Sequence, residues 1–185
     1  MDVEHALVIG GTGMLLRATV AIAEHSRKLT VVARTPASLE ALASRLSDRQ
    51  NDLQQRYAAL DWNQPERFVL ELDRLVKEDG YPTLVLAWLH DMNLVPHVAA
   101  AVSIPEPHCD FFQIIGSSGG SSHGHASALR EQVEAVSDIR YFQVILGFKR
   151  EAGASRWLTN DEISNGVLEA IAKREACHIV GMVSP

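Results

Sequence analysis

Cysteine is nearly absent: Cys109 and Cys177 are the only two in 185 residues, too few for the disulfide framework of a small secreted domain. Long hydrophobic runs are missing as well. The longest, Leu84-Val85-Leu86-Ala87-Trp88-Leu89, is far short of the roughly 18 residues that suggest a membrane span. Basic charge is in deficit, with 17 Lys and Arg against 23 Asp and Glu and a net charge of −6, so the electrostatic footprint of a nucleic-acid binder is lacking. Asp2 and Glu4 stand where a secretory leader would carry basic residues. These absences predict a cytoplasmic protein that partners neither nucleic acid nor membrane.

What is present is an ordinary globular mixture, 46% apolar and 22% charged, which excludes disorder, collagen and coiled coil. The length fits one domain spanning 1–185, and no internal repeat of solenoid length occurs. Ala6 to Ile9 and Leu29 to Ala33 read as buried strands. Between them Leu15, Ala18 and Ile22 recur at helical spacing, and Thr35-Pro36 supplies a cap and a first-turn proline for the helix carrying Leu39, Leu42 and Leu46. Tyr57 to Leu60 is a third strand. Asn63 and Glu66 are placed to cap the helix bearing Phe68, Leu72 and Leu75.

Thr83 to Leu89 shows no polar alternation, the mark of a strand covered on both faces. The pattern continues through a helix at Leu94, Val98 and Ala101 and a strand at 111–115. Next come the Gly/Ser-rich loop at 116–122, a helix at Leu129, Val133 and Val136, and a strand from Tyr141 to Phe148. Thr159-x-x-Glu162 is a capping box for a last helix, and Ile179 to Val183 is a last strand. Seven strands alternating with six helices predict an α/β fold: a single doubly wound parallel sheet, the Rossmann arrangement, with helices on both faces.

Gly10-Gly11-Thr12-Gly13 follows the first strand and opens the first helix. A turn without side chains there lets backbone amides and the positive helix end approach a diphosphate; the alternative is an ordinary strand-to-helix turn. Arg34, backed by Thr35, ends the second strand. An acidic residue in that place would accept from the ribose of NAD, whereas a guanidinium offers donors to a 2′-phosphate. NADP (NADPH) is therefore favoured over NAD, the alternative for Arg34 being a solvated surface cation.

Val8 to Leu15, with Gly10, Gly11, Thr12, Gly13, Met14 and Leu15 at the cofactor, resembles the loop of the short-chain dehydrogenases and reductases, in particular their atypical branch, with Leu16 where the third glycine would stand. Leu60-Asp61-Trp62 is similar to the segment whose Asp binds adenine. Ala87-Trp88-Leu89-His90 takes the place of the Asn-Ala-Gly segment, and Ile115 to Ser118 looks like the strand that delivers a catalytic serine. The resemblance implies an NAD(P)-binding Rossmann domain, an oxidoreductase activity, and a homodimer as the usual assembly.

The family's Tyr-x-x-x-Lys pair has no counterpart. Its spacing falls near Arg130 or Glu131 and Glu134 or Ala135, and no lysine occurs between Lys77 and Lys149. Ser117 and His90 are the remaining catalytic candidates. The serine either polarises a carbonyl or caps the next helix. The histidine either donates a proton, since an imidazole titrates near neutrality, or fills the crevice. His123-Gly124-His125 lacks a third ligand at a metal-binding spacing, so no metal is expected. Two functions follow: an NADP-dependent oxidoreductase acting on a small carbonyl or imine, or a noncatalytic NADP(H)-binding sensor. A nucleotide-sugar binder using the same loop is a third reading.

Overall fold

A computed structural model describes residues 2–47, 52–106, 108–116, 123–151 and 154–183, with only the backbone for 123–126. Strands and helices alternate from the start: β1 (Val3–Ile9), α1 (Leu16–Ala23), β2 (Ser26–Ala33), α2 (Pro36–Ser47), β3 (Gln54–Ala59), α3 (Pro65–Asp79) and β4 (Leu84–Trp88). They continue with α4 (Leu94–Val102), β5 (Asp110–Gly116), α5 (His123–Val136) and β6 (Arg140–Leu146). A hairpin of β7 (Phe148–Glu151) and β8 (Ala154–Trp157) precedes α6 (Asn160–Lys173) and β9 (Cys177–Val180).

Seven strands form one parallel sheet in the order β3-β2-β1-β4-β5-β6-β9. The order reverses between β1 and β4, which opens a crevice at their carboxyl ends. Alternate residues along each strand feed two cores. Val8, Val31, Leu86, Phe112 and Val144 pack under α1, α2 and α6, whereas Leu7, Ile9, Val85 and Phe111 pack under α3, α4 and α5. That double burial is why the central strands read as unbroken apolar runs. Among the described residues no helix is long and apolar enough to cross a membrane.

The hairpin was not visible in the sequence, which reads Tyr141 to Phe148 as one strand. Instead β6 stops at Leu146, and Phe148 pairs antiparallel with Trp157 and bridges to Met182. The last strand likewise ends at Val180, because Gly181 takes a left-handed φ of 83°. Asn63 does not cap α3. The cap position falls on Gln64, whose side chain makes no capping bond, with Pro65 opening the helix.

The capping box at α6 is present as expected: the Glu162 amide donates to Thr159 Oγ1 at 3.2 Å, and the Thr159 amide donates to Glu162 Oε2 at 2.8 Å. Glu162 also accepts from Arg156 of β8 and Lys149 of β7. The cap therefore fastens the hairpin to the helix. Hydrogen bonds from Arg156 foremost, then from Lys149, hold its carboxyl well below the usual carboxylate range. Thr159→Ala should cost about 1 kcal/mol and lower the melting temperature by about 3 °C, readable by thermal denaturation.

Candidate functional site

The loop between β1 and α1 lies at the point where strand order reverses. Gly10 has a φ of 79°, and an added Cβ there would lie 2.9 Å from the Trp88 carbonyl oxygen. A side chain at Gly11 would fall 2.4 Å from both Thr19 Oγ1 and Val8 Cγ1. Those two glycines are demanded by the turn and by helix packing. Gly13 is different: a Cβ there meets nothing within 4 Å, and its φ is not left-handed. Among the described residues nothing requires a glycine at 13, and its bare, exposed backbone lines a pocket with Met14, Arg17, Asn160 and Asp161.

Two hydroxyls pin the loop from inside. Thr19, buried in α1, donates to the Gly11 carbonyl at 2.9 Å and lies 3.0 Å from that of Leu15. Ser164, buried in α6, donates to the Met14 carbonyl at 3.1 Å. The carbonyl and amide of a trans peptide point opposite ways. The pinned carbonyls of Gly11 and Met14 therefore turn the Thr12 and Leu15 N–H groups away from these hydroxyls. Among the described residues no side chain caps the start of α1, and its first turn holds no acidic residue, so the helix end stays electropositive. The sequence reading missed both hydroxyls. Their signal was a polar residue beside the apolar stripe of a buried helix face.

Arg34 and Thr35 are exposed beyond β2. The Arg34 guanidinium lies 5.0 Å from the Trp62 ring centroid and makes no ion pair with a described carboxylate. A planar cation over an indole is held in place while its edges remain free to bind. It faces a pocket of about 260 Å³ that Asp61, Gln64, Arg67 and Glu71 also line. Asp61 Oδ1 accepts from the Asn63 amide at 3.0 Å. Thr35 Oγ1 donates to Ser38 Oγ at 2.8 Å.

The other expected contacts sort by side of the sheet. Leu15, Trp62 and Ala87 are buried in the cores, so Leu15 and Ala87 offer only main-chain groups at the surface, and Trp62 carries Arg34 on its ring. Thr12, Met14 and Trp88 are partly exposed; Trp88 ends β4 beside the strand reversal, whereas Met14 lines a pocket between α1 and α6. His90 is exposed beyond β4, its ring 5.2 Å from that of Trp88 in an edge-to-face arrangement. Ser117 and Ser118 lie outside the described residues, as do the side chains of His123 and His125. Among the described residues no group of three His, Cys, Asp or Glu side chains is placed to hold a metal ion.

The positions that the family spacing assigns to tyrosine and lysine are turned elsewhere. Arg130 donates to the Tyr141 and Ala176 carbonyls at 3.0 and 2.7 Å, at the amino edge of the sheet, and pairs with Glu134. The Tyr141 hydroxyl is buried in the sheet and donates to Gln113 Oε1; burial pushes its pKa up to about 12.

No protein-family model matches the chain, and no curated protein matches it in sequence. Solved structures do. The bulky-bulky ketone specific alcohol dehydrogenase from Comamonas testosteroni superposes with a TM-score of 0.74 over 100% of this chain and 88% of its own, at 15% identity. A short-chain dehydrogenase from Sphingobium yanoikuyae in complex with NADPH gives 0.69 over 95% and 87%, at 16% identity. A short-chain type dehydrogenase/reductase from Mycobacterium ulcerans gives 0.69 over 97% and 88%, at 15% identity. With the strand order and the crevice at its reversal, these superpositions show that the chain has the fold of the short-chain dehydrogenases and reductases.

Proposed function

We propose that the protein is an NADP-dependent oxidoreductase acting on a small carbonyl or imine compound. The observation that carries this reading is Gly13: a glycine that neither backbone angle nor internal packing explains, at the open mouth of a loop whose carbonyls are pinned inward. The Thr12 and Leu15 amides and the start of α1 take the diphosphate. Arg34 takes the 2′-phosphate, with Thr35 beside it, and Asp61 faces the adenine. When bound, the nicotinamide supplies the hydride. His90 delivers the proton, and Ser117 polarises the substrate oxygen. Similarly folded dehydrogenases solved with NADPH and with NAD+ support a nicotinamide cofactor, and the preference for NADP rests on Arg34.

A second reading, a noncatalytic NADP(H)-binding sensor, is favoured by one observation: Tyr141 and Arg130, the groups nearest in sequence to the family's acid and base, are engaged with the sheet away from the crevice. Calorimetric titration of NADPH, NADP, NADH and NAD tests both. NADPH should bind more tightly than NADH, and Arg34→Ala should weaken NADPH about tenfold while leaving NADH unchanged, the loss of one charge-assisted contact. No binding by any of the four overturns both readings. Loss of NADPH fluorescence against a panel of carbonyl and imine compounds then separates enzyme from sensor.

A further inference from the structure

Trp88 is the last residue of β4, beside the reversal of strand order. Its neighbours on both sides are glycines. A Cβ at Gly10 would lie 3.2 Å from Trp88 Cβ and 3.5 Å from Cδ1, and a Cβ at Gly116 would lie 3.2 Å from Cη2. The indole therefore stretches from the end of β1 to the end of β5, across the carboxyl edge of three adjacent strands. It is only partly buried: its inner side packs against the core under α1 and α6, and the His90 ring meets it edge-to-face. A residue that merely completed a core would be covered. This one presents an aromatic surface between the glycine loop and the end of β5.

We propose that Trp88 positions the nicotinamide ring of the bound dinucleotide by packing against it. The inference rests on the cofactor reading above and adds to it a role for Trp88 in orienting the nicotinamide half. With the diphosphate at the loop and the 2′-phosphate at Arg34, the remaining half of the molecule extends from Gly10 towards Gly116. The indole is the surface it meets along that path. The nicotinamide is an aromatic cation when oxidised and a near-planar ring when reduced, and packing such a ring on an indole is favoured whatever its hydrogen-bonding edge, so Trp88 would fix the plane of the ring without selecting its substituents.

The test compares two ligands on three variants by calorimetry: NADPH, and 2′-phospho-ADP-ribose, which is the same molecule without its nicotinamide base. Trp88→Ala should weaken NADPH about tenfold, the usual effect of removing a base-stacking aromatic, and change 2′-phospho-ADP-ribose less than about twofold. Trp88→Phe should restore most of the NADPH affinity. Trp88→Leu fills the space without an aromatic face and should behave like the alanine variant, which keeps the test usable should the smaller side chain impair folding. Equal weakening of both ligands, unchanged NADPH binding, or tighter NADPH binding by the alanine variant would each overturn the proposal while leaving the cofactor reading intact. A wild-type protein that binds neither ligand overturns both.

Discussion

Gly13→Val is expected to fold as well as the wild type and to lose dinucleotide binding by about a hundredfold, the equivalent of about two charge-assisted hydrogen bonds. The two halves of that expectation have separate causes. A Cβ at position 13 meets no described atom within 4 Å, and the backbone there is not left-handed, so a side chain is introduced on an exposed backbone without a clash at its first atom. Replacing glycine also narrows the unfolded ensemble, which leaves stability equal or raised by up to about 1 kcal/mol. The isopropyl group then stands exposed at the mouth of the loop, where the diphosphate must approach the Thr12 and Leu15 amides. Gly11→Ala is the control with the opposite signature: its methyl would fall 2.4 Å from Thr19 Oγ1 and Val8 Cγ1, so stability falls first. Thermal melts paired with NADPH titrations separate the two. Undiminished NADPH affinity in a well-folded Gly13→Val protein would remove the loop from the site.

The alternation of strands and helices was legible because β4 and β5 are buried on both faces, which leaves runs such as Leu84 to Trp88 without polar interruption. The place of the glycine loop, after the first strand and before the first helix, was legible too. Less could be read wherever partners come from distant elements. The pinning of Met14 by Ser164 joins residues at opposite ends of the chain, and the span of Trp88 between two glycines depends on the register of three strands. The hairpin 148–157 escaped because Lys149, Arg150, Glu151 and Arg156 give it the composition of a loop. Its strands are held by ion pairs from Lys149 and Arg156 to Glu162 of α6, and by one between Arg156 and Glu151 within the hairpin, rather than by a buried face. Asn63 had the right chemistry for a cap, but α3 begins one residue later, with Gln64 at the cap position and Pro65 opening the helix.

The same limit hid an ionic cluster at the amino edge of the sheet, whose removal should cost more stability than any surface change. Asp79, the last residue of α3, is 8% exposed. It receives Lys28 of β2 at 2.7 Å, the Thr30 hydroxyl, and Arg56 of β3 at 3.6 Å, with His5 of β1 at 3.8 Å. One carboxylate thus joins four elements. Burial alone would raise its pKa, but hydrogen bonds from Lys28 and Thr30 outweigh burial and lower it. His5 is held below its ordinary value, first by burial and then by the Lys28 ammonium, against the pull of Asp79.

Both shifts make acid destabilising, in two stages. Because His5 binds a proton less readily when folded, the unfolded chain protonates first. Stability therefore begins to fall as pH drops through the ordinary histidine value of 6.5 and continues to fall until the folded His5 titrates. The Asp79 contribution, complete above the ordinary aspartate value of 3.8, is lost as pH drops through its lower folded value. Asp79→Ala leaves Lys28 and Arg56 without their shared anion. The loss should be about 2–3 kcal/mol, below the 3–5 kcal/mol typical of a fully buried pair, because Lys28 is 23% and Arg56 41% exposed. Adding Lys28→Met to Asp79→Ala should recover about 1 kcal/mol, since the stranded ammonium is what makes the single change costly. Urea unfolding at neutral pH measures both variants, and repeating it down to pH 4 should show the histidine stage vanish in His5→Gln. A cost below about 0.5 kcal/mol for Asp79→Ala would place the cluster among surface ion pairs of little consequence.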